Sequence, residues 1–280
     1  MLPGAPSTSM AALLPCALTI GGLDPGGGAG IAADLRAFVA AGVFGCAAVA
    51  VITVQSTAGL RSVRTVAARD LRAQVEEVLR HQRVRAIKVG ALGSRENVLA
   101  VARILARGPR RADIPVVVDT TIRPTRGDAP LLAADAWSAM REALLPRAAL
   151  VTLNLDEAFA LLGERVRTVS EAHDAARALV RTGARAVLIK GGHMRGPAAI
   201  DVLAMDDQVI ELRARRLAFP STHGTGCTFA ALVAGRLARE SRLSVSRDSL
   251  LSAIRWAKRV HHGALSRVSD VGHGMRVITF

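Results

Sequence analysis

Short β-branched runs alternate with helical apolar patterns along most of the chain, and this rhythm limits the fold most tightly, because parallel strands need crossover helices between them. Ala17 to Ile20 reads as a first strand and runs into the glycine-dense Gly21-Gly22-Leu23-Asp24-Pro25-Gly26-Gly27-Gly28. A helix through Phe38 to Ala40 follows, then a strand from Cys46 to Val54 and a short extended piece from Val63 to Val66. Leu71, Val75, Val78 and Leu79 fall on one helical face. Val84 to Val89 is a strand, and Ser94 is placed to cap a helix carrying Val98, Val101 and Leu105. Pro115 to Asp119 and Leu150 to Leu153 are apolar runs that end in a polar residue, Asp119 and Asn154, the form of central parallel strands that deliver side chains to a ligand. Glu171 to Arg181 is helical, and Ala186 to Lys190 is a strand closed by Gly191-Gly192. Ile200 to Ala204 and Val209 to Leu212 form a hairpin across Met205-Asp206-Asp207-Gln208, and Thr228 to Arg239 and Leu250 to Ser266 are helices. Residues 1–14 read as a flexible tail and 15–280 as one α/β domain with a mostly parallel sheet and helices on both faces.

Charge complicates the functional reading. The 280 residues carry 37 Lys plus Arg against 23 acids, a net +14, which is a common footprint of nucleic-acid binding. Only Lys88, Lys190 and Lys258 are lysines, so the excess is arginine, and it is scattered except at Arg110-Arg111 and Arg213 to Arg216. Tyrosine is absent and aromatic residues make up 3%, leaving little on which bases could stack. A solvated arginine surface is therefore preferred to a nucleic-acid partner. Three cysteines, Cys16, Cys46 and Cys227, with no C-x-x-C spacing exclude a disulfide framework, and no apolar run approaches the ~20 residues of a membrane span. A cytoplasmic protein is expected.

The segment His223-Gly224-Thr225-Gly226-Cys227-Thr228 opens an apolar helix, where glycines and a helix N-terminus together stabilise an anion such as a phosphate. The same field is expected to lower the pKa of Cys227 and suit it as a nucleophile or general base; the bland alternative is a small buried apolar residue. Asp119 and Glu157, just past strand ends, suit Mg²⁺ around phosphates, although Glu157 reads equally as a first-turn helix acid. Asp34, a turn after Gly30, either caps or pairs structurally or, as a lone helix acid, is solvated, and Lys190 either reaches a phosphate or snorkels.

Seven segments, taken together, resemble the hydroxymethylpyrimidine kinase/phosphomethylpyrimidine kinase family of thiamine biosynthesis, within the ribokinase-like superfamily. They are Ala17 to Leu35 with its glycine cluster, Val54-Gln55-Ser56-Thr57-Ala58-Gly59, Ile87-Lys88 through Ser94, Val118-Asp119, Leu153-Asn154 through Ala158, Ile189-Lys190-Gly191-Gly192-His193, and Ser221 through Thr228. Sugar kinases of the superfamily carry aspartate in G-A-G-D where this chain has Cys227; pyrimidine kinases and a set of pyridoxal kinases carry cysteine. The resemblance implies a ribokinase-like three-layer α/β sandwich, a homodimer, and ATP- and Mg²⁺-dependent phosphorylation of 4-amino-5-hydroxymethyl-2-methylpyrimidine and its monophosphate. By the same resemblance Gln55, Asp34 and Gly22 contact the pyrimidine, with Asp34 near its exocyclic amine. Cys227 takes the hydroxymethyl proton, and the amides of Gly224 to Cys227 stabilise the transferring phosphoryl group. Lys190, Asn154 and Thr225 serve ATP, and Glu157 and Asp119, supported by Asn154, serve Mg²⁺.

The chain departs from the family pattern in its substrate pocket. Thr121 stands where a small apolar contact is common, Ala91 replaces a frequent methionine and Ser56 an asparagine, and the usual lysine is missing from the loop Thr120 to Asp128. These changes point to a wider, more polar pocket and keep pyridoxal kinase as the alternative, with a non-catalytic basic protein that binds nucleic acid as the third. Whether the Arg123 to Arg126 loop closes as a lid is left open. At the C-terminal end, Gly272-His273-Gly274-Met275 resembles a family ending, but Arg276-Val277 breaks the G-P that usually follows.

Overall fold

The computed structural model describes residues 14–106, 113–124, 126–127, 129–192, 194, 196–217, 222–240 and 245–280. The tail through residue 13, the Arg110-Arg111 pair, Thr125 and Asp128 of the polar loop, and His193 and Ser221 of the quoted motifs lie outside them. Nine strands form one sheet: β1 (Cys16–Leu23), β2 (Phe44–Ser56), β3 (Gly59–Thr65), β4 (Val84–Val89), β5 (Val116–Asp119), β6 (Leu150–Leu153), β7 (Ala186–Ile189), β8 (Ala198–Met205) and β9 (Gln208–Arg215). Their order is β3-β2-β1-β4-β5-β6-β7-β8-β9. The six strands from β2 through β7 in that order pair in parallel, and β3, β8 and β9 add antiparallel edges. A separate ribbon joins β10 (Thr222–His223) to β11 (Arg276–Val277).

The central strands are apolar on both faces because both are covered. Val116, Val118, Val151, Leu153, Val187 and Ile189 belong to one core; Val117, Leu150, Ala186 and Leu188, one residue out of phase, belong to the other. Against the first core pack α2 (Ala68–His81), α3 (Arg95–Leu105), α4 (Ala136–Ala139), α5 (Leu155–Leu162) and α6 (Val169–Val180). Against the second pack α1 (Gly30–Ala40), α7 (Thr225–Ala238) and α8 (Arg247–Leu265). The layers thus match the expected three-layer α/β sandwich.

Local signals explain most boundaries. Ser94 Oγ accepts from Asn97 N at 3.3 Å, the cap read from the sequence. In the hairpin Asp206 and Asp207 both have positive φ, 48° and 57°, as a two-residue turn matched to strand twist requires. The helix expected from Thr228 begins earlier, at Thr225, because Gly224 at φ 75° turns the chain directly into it. Thr168 and Glu171 form a reciprocal cap that starts α6 two residues ahead of the expected Glu171. No helix was expected between Pro130 and Leu150, yet α4 widens into a π-helical turn, Met140–Leu144, and a 3₁₀ turn, Leu145–Arg147. Its irregular period hid it.

β1 and β4 are neighbours whose connections leave in opposite directions, toward β2 and toward β5. Such a switch point leaves a crevice beyond the strand ends. There β1 carries a bulge at Gly21/Gly22, and β4 runs into Gly90-Ala91.

Candidate active site

A cavity of about 1230 Å³ lies over the C-terminal ends of β1, β4, β5, β6 and β7, bounded by the first turn of α7. Every site residue named from the sequence lines it except Asp34. Gly22 and Ala91 mark one end with Gln55; Asn154, Glu157, Lys190 and Thr225 lie toward the other; Asp119 and Cys227 are also in the lining.

α7 is buried on nearly all sides, which fixes its exposed first turn rigidly. Gly224 sits so close to the glycine loop that a Cβ would lie 2.0 Å from Gly28 O. The N–H groups of Thr225, Gly226 and Cys227 have no intrahelical acceptor and carry the positive end of the helix dipole. At Gly226 a Cβ would lie 2.9 Å from Lys190 Nζ and 3.5 Å from Asp119 Oδ2, so glycine lets this turn approach both charges.

Asp119 is buried and thoroughly bonded: Lys190 Nζ donates to Oδ1 at 3.0 Å, Thr152 Oγ1 to Oδ1 at 3.1 Å and Thr121 Oγ1 to Oδ2 at 3.2 Å. Burial opposes its ionisation, but Lys190, Lys88 and these hydrogen bonds hold its carboxyl below the usual range. Lys190 does not snorkel. Burial works against its charge, and Asp119 and Glu157 outweigh it, holding the ammonium above its ordinary pKa. Glu157 is both things the sequence allowed, a cavity carboxylate and a first-turn acid: it accepts from Asn154 N at 2.8 Å while Asn154 Oδ1 caps Glu157 N at 2.8 Å. Burial pushes its carboxyl up, with Lys190 opposing and Asp119 adding to the rise.

Two expectations are corrected. Asp34 is not a solvated helix residue; of the two readings its sequence position allowed, structural pairing is the one observed. It lies fully buried beneath the cavity, its Oδ2 accepting from Lys88 Nζ at 2.9 Å and Thr19 Oγ1 at 2.6 Å. Its carboxyl is pushed up by burial, with Lys88 opposing. The thiol of Cys227, in turn, is not acidified by the helix terminus. Burial raises it to about 11; Lys88 and a hydrogen bond from the Gly30 backbone oppose the rise, while Asp119 and Asp34 add to it. The residue nonetheless stays partly open to the cavity.

Sequence reasoning assigned no role to Asp24, His223 or Thr152. Asp24 and His223 stood inside quoted motifs, and their contact, 3.0 Å across 199 residues, depends on chain folding that spacing does not show. Lys88 was noted as a strand-end lysine, but its partner Asp34 was not foreseen.

Comparison with known proteins places this geometry in a family. The profile described as phosphomethylpyrimidine kinase matches residues 24–279. The hydroxymethylpyrimidine/phosphomethylpyrimidine kinase of Rhizobium meliloti (strain 1021) is 42% identical over 262 residues, covering 92% of this chain and 94% of the relative. Among solved structures, a Bacillus subtilis pyridoxal kinase in an ADP complex is similar with a TM-score of 0.82 at 29% identity, over 95% of this chain and 97% of that one. A phosphomethylpyrimidine kinase from Clostridium difficile is similar with a TM-score of 0.73 at 28% identity, over 89% and 98%. The backbone is thus shared with kinases of two rings, while the sequence match over nearly its whole length is to one of them: this chain belongs to the phosphomethylpyrimidine kinase family.

Proposed function

We propose that the protein transfers the γ-phosphoryl group of ATP to 4-amino-5-hydroxymethyl-2-methylpyrimidine and then to its monophosphate. The observation that carries this reading is the first turn of α7. Its free amides face the same cavity as Lys190 and Asp119 on one side and the Gln55, Gly22 and Ala91 surface on the other. Phosphoryl transfer asks mainly for in-line positioning and for cationic and N–H groups around the developing charge. The Gly224 to Cys227 amides and Lys190 fill that role, with Lys190 exchanging its Asp119 contact for phosphate oxygens.

The two carboxylates next to them, Asp119 and Glu157, offer oxygen donors. Asp119 and Glu157 suit a hard cation such as Mg²⁺, which takes one or two carboxylates and completes its shell with water and phosphate. When bound, Mg²⁺ supplies positive charge to the phosphate oxygens of ATP. Asn154 supports that wall by fixing Glu157 through their reciprocal cap.

Cys227 takes the substrate hydroxyl proton. With burial raising its thiol to about 11, it serves as base through the fraction that Lys88 and the Gly30 backbone hold as thiolate. The chemical step therefore speeds up with rising pH across about pH 6 to 9. Cys227→Asp, a carboxylate that is already ionised, flattens this limb; a wild-type rate independent of pH removes the thiol as base.

The same proposal includes a homodimer, supported by Ile52 and Val54, which leave apolar side chains exposed on one face of β2. It also includes a cytoplasmic location; among the described residues no helix is long and apolar enough to cross a membrane. Pyridoxal kinase remains the second reading because of the 0.82 TM-score to such an enzyme. Steady-state assays on both rings decide between them. We expect kcat/KM for the pyrimidine to exceed that for pyridoxal by at least about tenfold, or ~1.4 kcal/mol of transition-state preference; equal or better turnover of pyridoxal reverses the assignment.

A further inference from the structure

The glycine loop, the end of β2 and β10 meet at one imidazole, at the Gln55 end of the cavity. His223 is buried, its Nε2 lying 3.0 Å from Asp24 Oδ2 and 2.7 Å from the Gln55 amide. Asp24 in turn accepts from Gly26 N at Oδ1, 2.9 Å, and from Ala29 N at Oδ2, 2.8 Å. The ring is clamped on its carbon edge: a Cβ on Gly28 would lie 2.5 Å from His223 Cδ2. Its backbone is held by pairing with Val277 in the β10–β11 ribbon. It has little room to turn or withdraw.

The proton count on this imidazole settles what Gln55 shows to the cavity. A carboxylate that already takes two backbone N–H groups is an acceptor only, so the His223 nitrogen facing it carries the hydrogen. An Nε2–H has no lone pair to receive an amide N–H. The Gln55 atom 2.7 Å away is therefore its carbonyl oxygen, which shares the single Nε2 hydrogen with Asp24 Oδ2, and the amide is turned over from the placement in which its nitrogen faces the ring; such assignments follow from the network. This leaves the Gln55 NH₂ to face the cavity. His223 Nδ1 has no hydrogen-bond partner among the described residues.

We propose that Asp24 and His223 act as a positioning pair that locks Gln55 as a hydrogen-bond donor toward the substrate, so that the site selects a heteroaromatic ring presenting an unprotonated nitrogen there. The inference rests on Gln55 contacting the ring. An unrestrained amide presents its oxygen as readily as its nitrogen and accepts a ring amine equally well; the locked one does not. Selectivity then resides in two residues that act through Gln55.

A double-mutant cycle in steady-state kinetics tests the pair, with the pyrimidine and ATP varied separately. Asp24→Asn keeps the size of the side chain and an acceptor for one of the two backbone N–H groups, Gly26 or Ala29, but removes the charge that fixes the imidazole proton. It is expected to raise KM for the pyrimidine at least about tenfold and to leave KM for ATP within about twofold. In a Gln55→Ala background the same substitution is expected to add nothing. His223→Gln, which keeps an N–H near the Nε2 position, is expected to recover most of the affinity lost in His223→Leu. Multiplying effects of Asp24→Asn and Gln55→Ala, or a parallel rise in KM for ATP, overturn the pair as a device acting through Gln55. A Gln55→Ala enzyme with unchanged pyrimidine KM removes the ring contact itself, and the inference with it.

Discussion

Lys88 shows how one buried charge is tied to both stability and chemistry. It is 1% exposed, bonded to Asp34, and its ammonium is held charged well above the usual range because Asp34, Cys227 and Asp119 outweigh the burial that opposes it. Lys88→Met leaves the Asp34 carboxyl buried without its cation, which is expected to cost about 3–5 kcal/mol, read as a fall in the urea midpoint. The double variant Lys88→Met/Asp34→Leu is expected to recover most of that stability but not turnover, since the thiol at Cys227 still lacks the Lys88 charge that opposes its rise. Recovery of both would show that Lys88 serves packing alone. Neither residue's part was legible beforehand. Lys88 on β4 and Asp34 on α1 meet only because β1 separates β4 from β2, and strand order is not written in periodicity.

At the level of single elements, the first turn of α7 separates two kinds of glycine. Gly224 has φ 75° and no room for a Cβ against the Gly28 carbonyl, so Gly224→Ala is expected to destabilise the fold by more than about 2 kcal/mol, in addition to disturbing the site. At Gly226 the nearest obstacle is the far end of the flexible Lys190 side chain. Gly226→Ala is expected to change thermal stability by less than about 1 kcal/mol while lowering kcat about a hundredfold, because it pushes Lys190 off its position beside the helix terminus. Melting curves and single-turnover rates together distinguish the two; a Gly226→Ala enzyme with normal kcat places the phosphate elsewhere.

This element was largely readable in advance, since glycines followed by an apolar helix have one economical physical meaning. So were β4, β6 and the hairpin, whose alternation and turn acids are local. The helix α4 was not, because a π-helical turn breaks the 3.6 period. The β10–β11 ribbon joins residues too far apart for any window to connect.

For the whole molecule, the +14 charge acquires a role without a nucleic acid. A positive surface around a cleft that receives a polyanionic nucleotide raises the encounter rate, and salt screens that attraction over about 8–10 Å. The uncharged pyrimidine feels none of it. Raising ionic strength is therefore expected to lower kcat/KM for ATP severalfold while leaving kcat/KM for the pyrimidine within about twofold. Equal sensitivity of both would show that the charge acts on the fold instead. Tight, salt-steep binding of duplex DNA by an enzyme without kinase activity would restore the nucleic-acid reading set aside at the outset.

The β10–β11 ribbon also fixes an order of events. The main sheet has all its strands once β9 ends at Arg215, and α7 can seat itself soon after. His223, however, acquires its strand partner only when residues 276–277 have been made, after the whole of α8. On a ribosome that releases the chain from its N-terminal end, the scaffold and the anion site are assembled first. The support of His223 is assembled last, so a nascent chain halted between α8 and β11 holds a nucleotide pocket before the strand that holds this imidazole in place exists.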